Sequence, residues 1–334
     1  MFTSLLALLF ASKVSSDTAE VPTVGIPQAG VAQNNSGVVA SQANIPIITT
    51  TVVAQLPSPQ PKPSPSPLPP PPPPTGFRYG GGTVLRQMVV QPIYWGQKGT
   101  SIEMIQEPLD LLYSEVVQSS YVQLAEYGIK SVTFTPSSFV ITNSQPGYDD
   151  VLDVQALLRG LVEQGTIKPT TNSYYPVYLS TGSITYGNLN SCTDFCYYRN
   201  TIDIEDIAPS AHMLNYAVFP VFTGTCPACA SISVIGNLFT NSAMALVSAA
   251  TNPSATNPKV SGSGGLAPGY TDVQTGVSVG EYCSTVQQIS KLEDVVTPAQ
   301  RHFQLPPLWS QQLKACTVNF KTAVQPVGVV IGSQ

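Results

Sequence analysis

Residues 84–96 read Val84-Leu85-Arg86-Gln87-Met88-Val89-Val90-Gln91-Pro92-Ile93-Tyr94-Trp95-Gly96, a run rich in β-branched and aromatic side chains. Such a composition predicts a β-strand. Gly80-Gly81-Gly82 precedes the run, and the composition becomes that of a globular domain from Phe77 onward. We therefore place the start of a folded domain at residue 77.

Two amphipathic helices are predicted after this strand. The first covers residues 102–116, where apolar side chains recur at helical spacing, and Pro108 is expected to mark a kink or the true start of the helix. The second covers residues 151–162, whose apolar side chains share one face. Gly165 and Pro169 are expected to end it.

The remaining pattern mixes strands and helices without strict alternation. Strands are predicted over residues 175–180 and 216–222, and a third helix over residues 237–250, ahead of the turn Thr251-Asn252-Pro253. Residues 261–269 are a Gly-rich loop. This mixture predicts an α+β fold, or α/β, in which one disulfide-bonded domain over residues 77–320 has a central mixed sheet flanked by helices. Residues 321–334 form a C-terminal tail.

The N-terminal residues indicate secretion. An apolar run from Phe2 to Ala11 is followed by Val14-Ser15-Ser16, which fits the small-residue rule for cleavage before Asp17, so residues 1–16 are predicted to be a signal peptide. The run is too short to cross a bilayer, which needs about 20 apolar residues. No later stretch approaches that length, and we expect no transmembrane segment.

Residues 17–76 are predicted to be a low-complexity, proline-rich stalk without packed structure. Pro57 to Pro74 contains Ser-Pro repeats and six consecutive prolines. Proline fixes φ and lacks an amide donor, so this part should form a polyproline II rod of roughly 60 Å, at roughly 3.1 Å per residue. It is either a stiff spacer or an O-glycosylated module embedded in a cell wall. Asn34-Asn35-Ser36 makes Asn34 a candidate N-glycosylation site.

Six cysteines suggest a disulfide framework, because an even number in a secreted chain usually pairs. We expect all six to be oxidised, the first four in one local cluster and the last two joined to each other. A four-thiolate zinc site is an alternative for the first four. A thioredoxin-like role for Cys226-Pro227-Ala228-Cys229 is another, although nothing places it after a strand at a helix start. The six are Cys192, Cys196, Cys226, Cys229, Cys283 and Cys316.

Composition and spacing exclude several functions. The net charge is −5 with 14 Lys and Arg residues, and no basic cluster supports binding to nucleic acid. His212 and His302 lie far apart and have no ligand-spaced neighbours. The chain has no Gly-x-Ser-x-Gly nucleophile elbow, and the glycines of residues 262–266 lack the Lys-Ser/Thr ending of a phosphate-binding loop.

Two further groups of side chains have a structural and a functional interpretation. Asp149, Asp150 and Asp153 are best explained as negative charge at a helix N-terminus, with calcium binding as the alternative. A group of tyrosines is expected to lie in the strand core, although flat rings could also line a sugar-binding groove. These tyrosines are residues 174, 175, 178, 186, 197 and 198.

Several sequence blocks, taken in order, resemble the EXORDIUM-like family, also called the phosphate-induced protein 1 family. The resemblance covers most of residues 80–290 and implies a secreted protein of the cell wall or apoplast that is linked to cell expansion, with no established enzymatic reaction. The blocks are Val90 to Gly96, Asp153 to Leu158, Cys192-x-x-x-Cys196, Cys226-Pro227, Ala250 to Pro253 and Glu281-Tyr282-Cys283.

Typical members of that family carry a His-Glu-x-x-Glu-like helix before the Thr-Asn-Pro turn, a pattern that looks like the helix of a zinc metallopeptidase. Here Met244 stands at the His position, Ala245 at the Glu position and Ser248 at the next acidic position. None of the three supplies a zinc ligand or a general base. The helix should still form, with the substituted face as a dry, apolar or lightly polar surface.

The same substitution pattern continues elsewhere in the chain. Ser278 stands where the family usually has an acidic residue, which leaves Glu281 alone, and Arg199 lies near the position of a family His. We therefore predict no catalytic residues, no metal ligands and no cofactor. The predicted function is that of a non-catalytic extracellular protein that binds wall polysaccharide or a partner protein in cell growth. The alternative is a secreted zincin-like hydrolase with a degenerate or unrecognised metal site.

Overall fold

A computed structural model describes residues 76–142, 147–180, 183–222, 224, 226–229, 233–253 and 267–320. The predicted signal peptide 1–16, Asn34, the stalk up to residue 75 and the tail 321–334 lie outside the described residues. So do residues 261–266 of the Gly-rich loop.

The described residues form an α+β domain, as the sequence predicts. Its helices are α1 (Ser101–Val116), α2 (Ala156–Glu163), α3 (Val234–Thr251) and α4 (Val279–Thr285). Its strands are β1 (Phe77–Tyr79), β2 (Gln87–Val90), β3 (Ile93–Gly96), β4 (Ser131–Phe134), β5 (Ser138–Ile141), β6 (Tyr148–Asp149), β7 (Ser173–Leu179), β8 (Ile184–Tyr186), β9 (Leu189–Asn190), β10 (Tyr198–Asp203), β11 (Met213–Pro220), β12 (Tyr270–Asp272), β13 (Glu293–Val296), β14 (His302–Leu305), β15 (Leu308–Ser310) and β16 (Ala315–Thr317).

The central sheet has the order β10-β11-β7-β2-β4. β3 continues beyond β2 and also pairs with β7, and β5 pairs with β3. The β10–β11 pair is antiparallel, whereas the other pairs of this sheet are parallel. Smaller sheets pair β1 with β12, β13 with β14, and β15 with β16, and a three-stranded sheet has the order β6-β8-β9.

Prolines divide the strand that was predicted as one piece. Residues 84–96 form β2 and β3, with Gln91 and Pro92 between them, because proline has no amide hydrogen for a ladder. Pro176 in β7 lies opposite this gap, since Val90 pairs with Tyr174 and Ile93 with Val177. A strand with neighbours on both sides can therefore contain a proline without losing a hydrogen bond to β2 or β3.

Both faces of the sheet are buried, which is typical of parallel sheets. Along β7, Tyr174 and Tyr178 pack with α1, α3 and α4 in one core cluster. Tyr175, Val177 and Leu179 point to the opposite face and pack in a second cluster that includes residues of α2. The sheet is therefore the middle layer between two hydrophobic cores.

The helices follow the predictions with two differences. Pro108 lies inside α1, which begins at Ser101, so of the two alternatives for Pro108 the helix start is wrong and the kink stays a prediction. The second predicted helix begins with a π-helical turn over Asp150–Gln155 before α2, and Gly165 follows with a φ of +69°. Among the described residues, α3 is the one helix long and apolar enough to cross a membrane, but 67% of that window is buried in the domain.

Helices α3 and α4 approach each other closely at Gly280. A Cβ atom at this position would lie 2.1 Å from the Met244 carbonyl oxygen and 2.5 Å from Ser248 Oγ. The Gly280 amide donates a 3.0 Å hydrogen bond to Ser248 Oγ. The missing side chain is what allows α4 to lie directly against α3 and sets the position of the next residue, Glu281.

We predict that Gly280→Ala lowers the free energy of unfolding by about 1–3 kcal/mol, because the new methyl group forces the two helices apart. Gly160→Ala in α2 is the matched control, since its nearest neighbouring atom lies 4.0 Å from the new Cβ. It should stabilise the protein by up to about 1 kcal/mol through helix propensity. Urea denaturation measures the free energy of unfolding of both variants. Equal changes for Gly280→Ala and Gly160→Ala would contradict the close contact between α4 and α3.

Candidate functional site

A partly buried ion pair joins β10 to α4. Arg199 Nε lies 3.3 Å from Glu281 Oε1, and the two side chains are 8% and 18% exposed. The hydroxyl of Tyr197 donates to the same carboxylate oxygen at 2.9 Å. Burial and then the charge of Glu281 raise the pKa of Tyr197 well above its ordinary value, so its hydroxyl stays protonated.

Hydrogen bonds extend this pair into α3 and the turn that follows it. The Arg199 guanidinium donates to the Asn252 carbonyl oxygen at 2.9 Å and to Ser278 Oγ at 3.0 Å. Asn252 Nδ2 donates to the same Ser278 oxygen at 3.0 Å. Ser248 Oγ donates to the second carboxylate oxygen of Glu281. We call Tyr197, Arg199, Ser248, Asn252, Ser278 and Glu281 the Arg199–Glu281 network.

The structure brings together most of the positions at which the family resemblance implies metal ligands. Ser248, Ser278 and Glu281 lie in the network, with Arg199 among them. Met244 lies on the same side of α3, where the Ser284 hydroxyl contacts its sulfur at 3.3 Å. Ala245 is fully buried in the core. Sequence reasoning selected these positions but missed the contacts among them.

These side chains do not fit a zinc ion. They offer one carboxylate, two serine hydroxyls and a thioether, whereas zinc sites use imidazole, thiolate and carboxylate ligands. The Arg199 guanidinium already carries a positive charge next to the carboxylate and would repel a second cation. Within the described ranges, no three His, Cys, Asp or Glu side chains are grouped so that they could hold a metal ion.

One expectation about α3 is wrong. The helix forms as predicted, but its substituted face is not the dry, apolar or lightly polar surface that we expected, because Met244, Ala245 and Ser248 are all buried. Ser248 is fully buried beneath α4 and contacts a charged pair. The reason is that Gly280 lets α4 come close enough for Glu281 to reach Ser248, which the pattern along α3 alone cannot indicate.

A solvent-open groove lies between α1 and the end of β4. Its volume is about 460 Å³. Asp110 accepts hydrogen bonds from Tyr94 OH at 3.0 Å and from Ser137 Oγ at 2.6 Å, and Gln106 Nε2 donates to Ser137 Oγ at 3.0 Å. Burial raises the pKa of Asp110, although these hydrogen bonds oppose the shift. The lining residues are Glu103, Gln106, Glu107, Asp110, Leu111, Ser114, Phe134 and Pro136.

Sequence reasoning missed this groove. The polar residues of α1 recur every three or four positions, which is also the pattern of an ordinary solvated helix face. Only the position of β4 and Pro136 beside the helix makes a groove of it.

The three aspartates at the start of the second helix have different roles, and Asp153 accepts a 2.7 Å hydrogen bond from the Asp149 amide. Asp149 accepts from the amides of Val151 and Leu152, which confirms the helix N-terminal interpretation. Burial by itself would raise the pKa of Asp149, but these hydrogen bonds and that of Thr185 lower it overall. Asp150 instead is buried and accepts from Gln155, Tyr198, Asn200 and Tyr216. Its role is in the core.

The other candidates are structural or lie at the surface. His212 and His302 are exposed, and their nearest acidic partners are Glu205 and Asp294. The tyrosines at 174, 175, 178, 186 and 198 are buried, and Tyr197 belongs to the network, so the core interpretation is confirmed and the sugar-stacking alternative is not supported.

The cysteines pair in part as expected. Cys283 is bonded to Cys316, as predicted, with a Cα–Cα distance of 6.0 Å, and Cys196 is bonded to Cys229 at 5.0 Å. The third disulfide stays a prediction; the two remaining cysteines, Cys192 and Cys226, are both half-exposed. The first four cysteines nevertheless form one local cluster, and the disulfide between two of them excludes a four-thiolate zinc site.

No family model, no curated protein and no solved structure matches the chain. The resemblance to the EXORDIUM-like family therefore rests on the ordered sequence blocks alone.

We predict that Arg199→Met lowers the free energy of unfolding by about 3–5 kcal/mol, because it leaves the Glu281 carboxylate buried without its cation. The double variant Arg199→Met/Glu281→Gln should recover part of this loss. Arg159→Met is the control, because Arg159 pairs with Asp206 at the surface and should lose less than about 1 kcal/mol. Urea denaturation measures all three. Equal losses for the Arg199 and Arg159 variants would contradict a structural role for the network.

Proposed function

We propose that the chain is a secreted, non-catalytic protein of the EXORDIUM-like type that binds polysaccharide in a cell wall or extracellular matrix. The observation that carries this proposal is the Arg199–Glu281 network. At the positions where a metallopeptidase would hold its ion and activate water, an arginine and a glutamate neutralise each other and every polar neighbour is engaged in holding them. Such a site stabilises the fold and has no group left for catalysis.

Secretion is supported by the predicted signal peptide, the proline-rich stalk and the two disulfides. Disulfides are typical of extracellular proteins. The resemblance to a family of wall proteins points to the same compartment.

The groove beside α1 supplies the surface for a polymer. It is open to solvent, as a chain that enters and leaves the site requires, and it combines the amide of Gln106 and the carboxylate of Asp110 with the apolar side chains of Phe134 and Pro136. Sugars present hydroxyl groups at their edges and apolar faces above and below the ring. A mixed lining of this kind satisfies both.

Charge selects among wall polymers. Glu103, Glu107 and Asp110 line the groove, and no Lys, Arg or His is among its lining residues. A uronic-acid polymer would bring like charges together, which is unfavourable at short range. The groove therefore favours a neutral polysaccharide over an acidic one.

The test is titration calorimetry of the full chain with a neutral β-glucan oligosaccharide and with oligogalacturonate. We expect binding of the neutral ligand only, and about a tenfold loss of affinity in Gln106→Ala/Asp110→Asn, equivalent to about 1.4 kcal/mol. Gln123→Ala, an exposed change outside the groove, is the control and should bind normally. Preference for oligogalacturonate, or equal affinity of the two variants, would contradict the assignment of the groove.

The hydrolase alternative predicts a different result. Release of reducing sugars or of peptide fragments by the purified chain, abolished in Glu281→Gln, would replace the binding proposal by a catalytic one.

A further inference from the structure

A second cleft lies at the amino ends of three neighbouring strands, β4, β2 and β7. Its volume is about 300 Å³, at the lower limit of the range of roughly 300–1,000 Å³ for small-molecule sites. Because β2 pairs in parallel with both β4 and β7, the residues that precede the three strands meet at one edge of the sheet. The polar residues that line the cleft are Thr83, Arg86, Gln87, Lys130, Thr171 and Asn172.

Two cationic residues lie side by side in this cleft. Gln87 of β2 pairs with Ser131 of β4, so Arg86 and Lys130, one residue earlier, lie opposite each other on the two strands. The Lys130 amide donates to the Arg86 carbonyl oxygen at 2.7 Å, which holds the two backbones together. A Cβ atom at Gly128 would lie 3.1 Å from Arg86 Nη1, so the guanidinium lies against the turn that leads to Lys130.

The two positive charges are not balanced within the described part of the chain. Neither side chain forms an ion pair or a hydrogen bond with another described residue, and no Asp or Glu is among the described residues that line the cleft. Like charges opposite each other on neighbouring strands destabilise a sheet. In a chain of net charge −5 with only 14 Lys and Arg residues, this placement favours a ligand that supplies negative charge.

Uncharged hydrogen-bond donors lie beside the two cations. Asn172 Oδ1 accepts from the Gln87 amide at 3.2 Å, and Asn172 Nδ2 donates to Thr171 Oγ1 at 3.4 Å. These contacts turn the side-chain oxygen of Asn172 towards the backbone of β2. The Thr171 hydroxyl accepts from Asn172 and keeps its own hydrogen atom to donate to a ligand. Cations together with neutral donors are the groups that recognise an oxyanion.

We propose that this cleft binds a doubly charged tetrahedral oxyanion, either inorganic phosphate or sulfate as the free ion, or the phosphate group of a monoester. A phosphate monoester carries a charge of about −1.5 to −2 at pH 7 and has three strong acceptor oxygens, so it matches two cations and the donors beside them. The guanidinium binds two of these oxygens at once and the lysine ammonium binds the third. A carboxylate has one charge and two oxygens, and would leave one cation unbalanced.

The cleft is separate from the groove beside α1. Phe134, at the carboxyl end of β4, lines the groove, whereas Lys130 precedes the amino end of the same strand. No residue lines both. The oxyanion site therefore does not depend on polysaccharide binding, and each of the two proposals can fail without the other.

Thermal unfolding of the full chain tests the site, because a ligand that binds only the folded chain raises the melting temperature. At pH 8 we compare inorganic phosphate, inorganic sulfate and glucose 6-phosphate with chloride and galacturonate at equal ionic strength, and expect only the first three to raise it. At pH 5 the apparent affinity for glucose 6-phosphate should fall about tenfold, because its second pKa is about 6, while sulfate remains effective. Tighter binding of glucose 6-phosphate than of the free ions assigns an ester, and the reverse assigns a free ion.

Paired variants connect the response to the two cations. Arg86→Gln/Lys130→Gln should weaken the binding of sulfate at least about tenfold. Without an oxyanion this variant should melt no lower than the native chain, because it relieves the like-charge repulsion. Lys98→Gln/Lys291→Gln is the matched control, since both lysines are exposed, lie outside the cleft and change the net charge equally. Equal effects of chloride and sulfate on the native chain, an effect of galacturonate as large as that of phosphate, or equal losses in the two double variants would overturn the proposal.

Discussion

The ion pair between Arg199 and Glu281 is the contact on which the arrangement of this domain depends. A charged pair with little solvent exposure is tolerated only when hydrogen bonds satisfy its remaining atoms, and here they come from three separate segments. Tyr197 lies just before β10, Ser248 on α3, and Ser278 at the start of α4. The pair therefore fixes how the antiparallel edge of the sheet, the long buried helix and the short helix meet.

The sheet creates the conditions for this pair. Because β7 and β11 are covered on both faces, their side chains are almost entirely apolar or aromatic, and few polar groups compete for the charges nearby. Pro92 and Pro176 interrupt the hydrogen bonding between neighbouring strands at the same point of the sheet. β2 and β3 therefore pair with β7 on either side of Pro176. Gly280 then lets α4 lie against α3 at the distance that a serine–carboxylate hydrogen bond requires.

Local sequence patterns were sufficient for the α+β fold class, the three longer helices and the Cys283–Cys316 disulfide. The division of residues 84–96 into β2 and β3 was missed, because a proline can lie within a strand, as Pro176 does in β7, or interrupt it, as Pro92 does. The neighbouring strands of the sheet decide which of the two occurs. The burial of Asp150 was missed because its donors come from residues up to 66 positions away. The groove was missed for the same reason, since it depends on side chains that only the folded chain brings together.

The positions at which the family resemblance leads one to expect metal ligands hold a neutral ion pair instead. Arg199 provides the positive charge of this pair, and Glu281 is the one acidic side chain of the Arg199–Glu281 network. Elemental analysis of the purified full chain, after incubation with zinc and removal of unbound ions, tests whether the Arg199–Glu281 network leaves no site for a metal ion. We expect no stoichiometric zinc in the protein and no difference in zinc content between the native chain and Glu281→Gln. One zinc per chain that is lost in Glu281→Gln would contradict it.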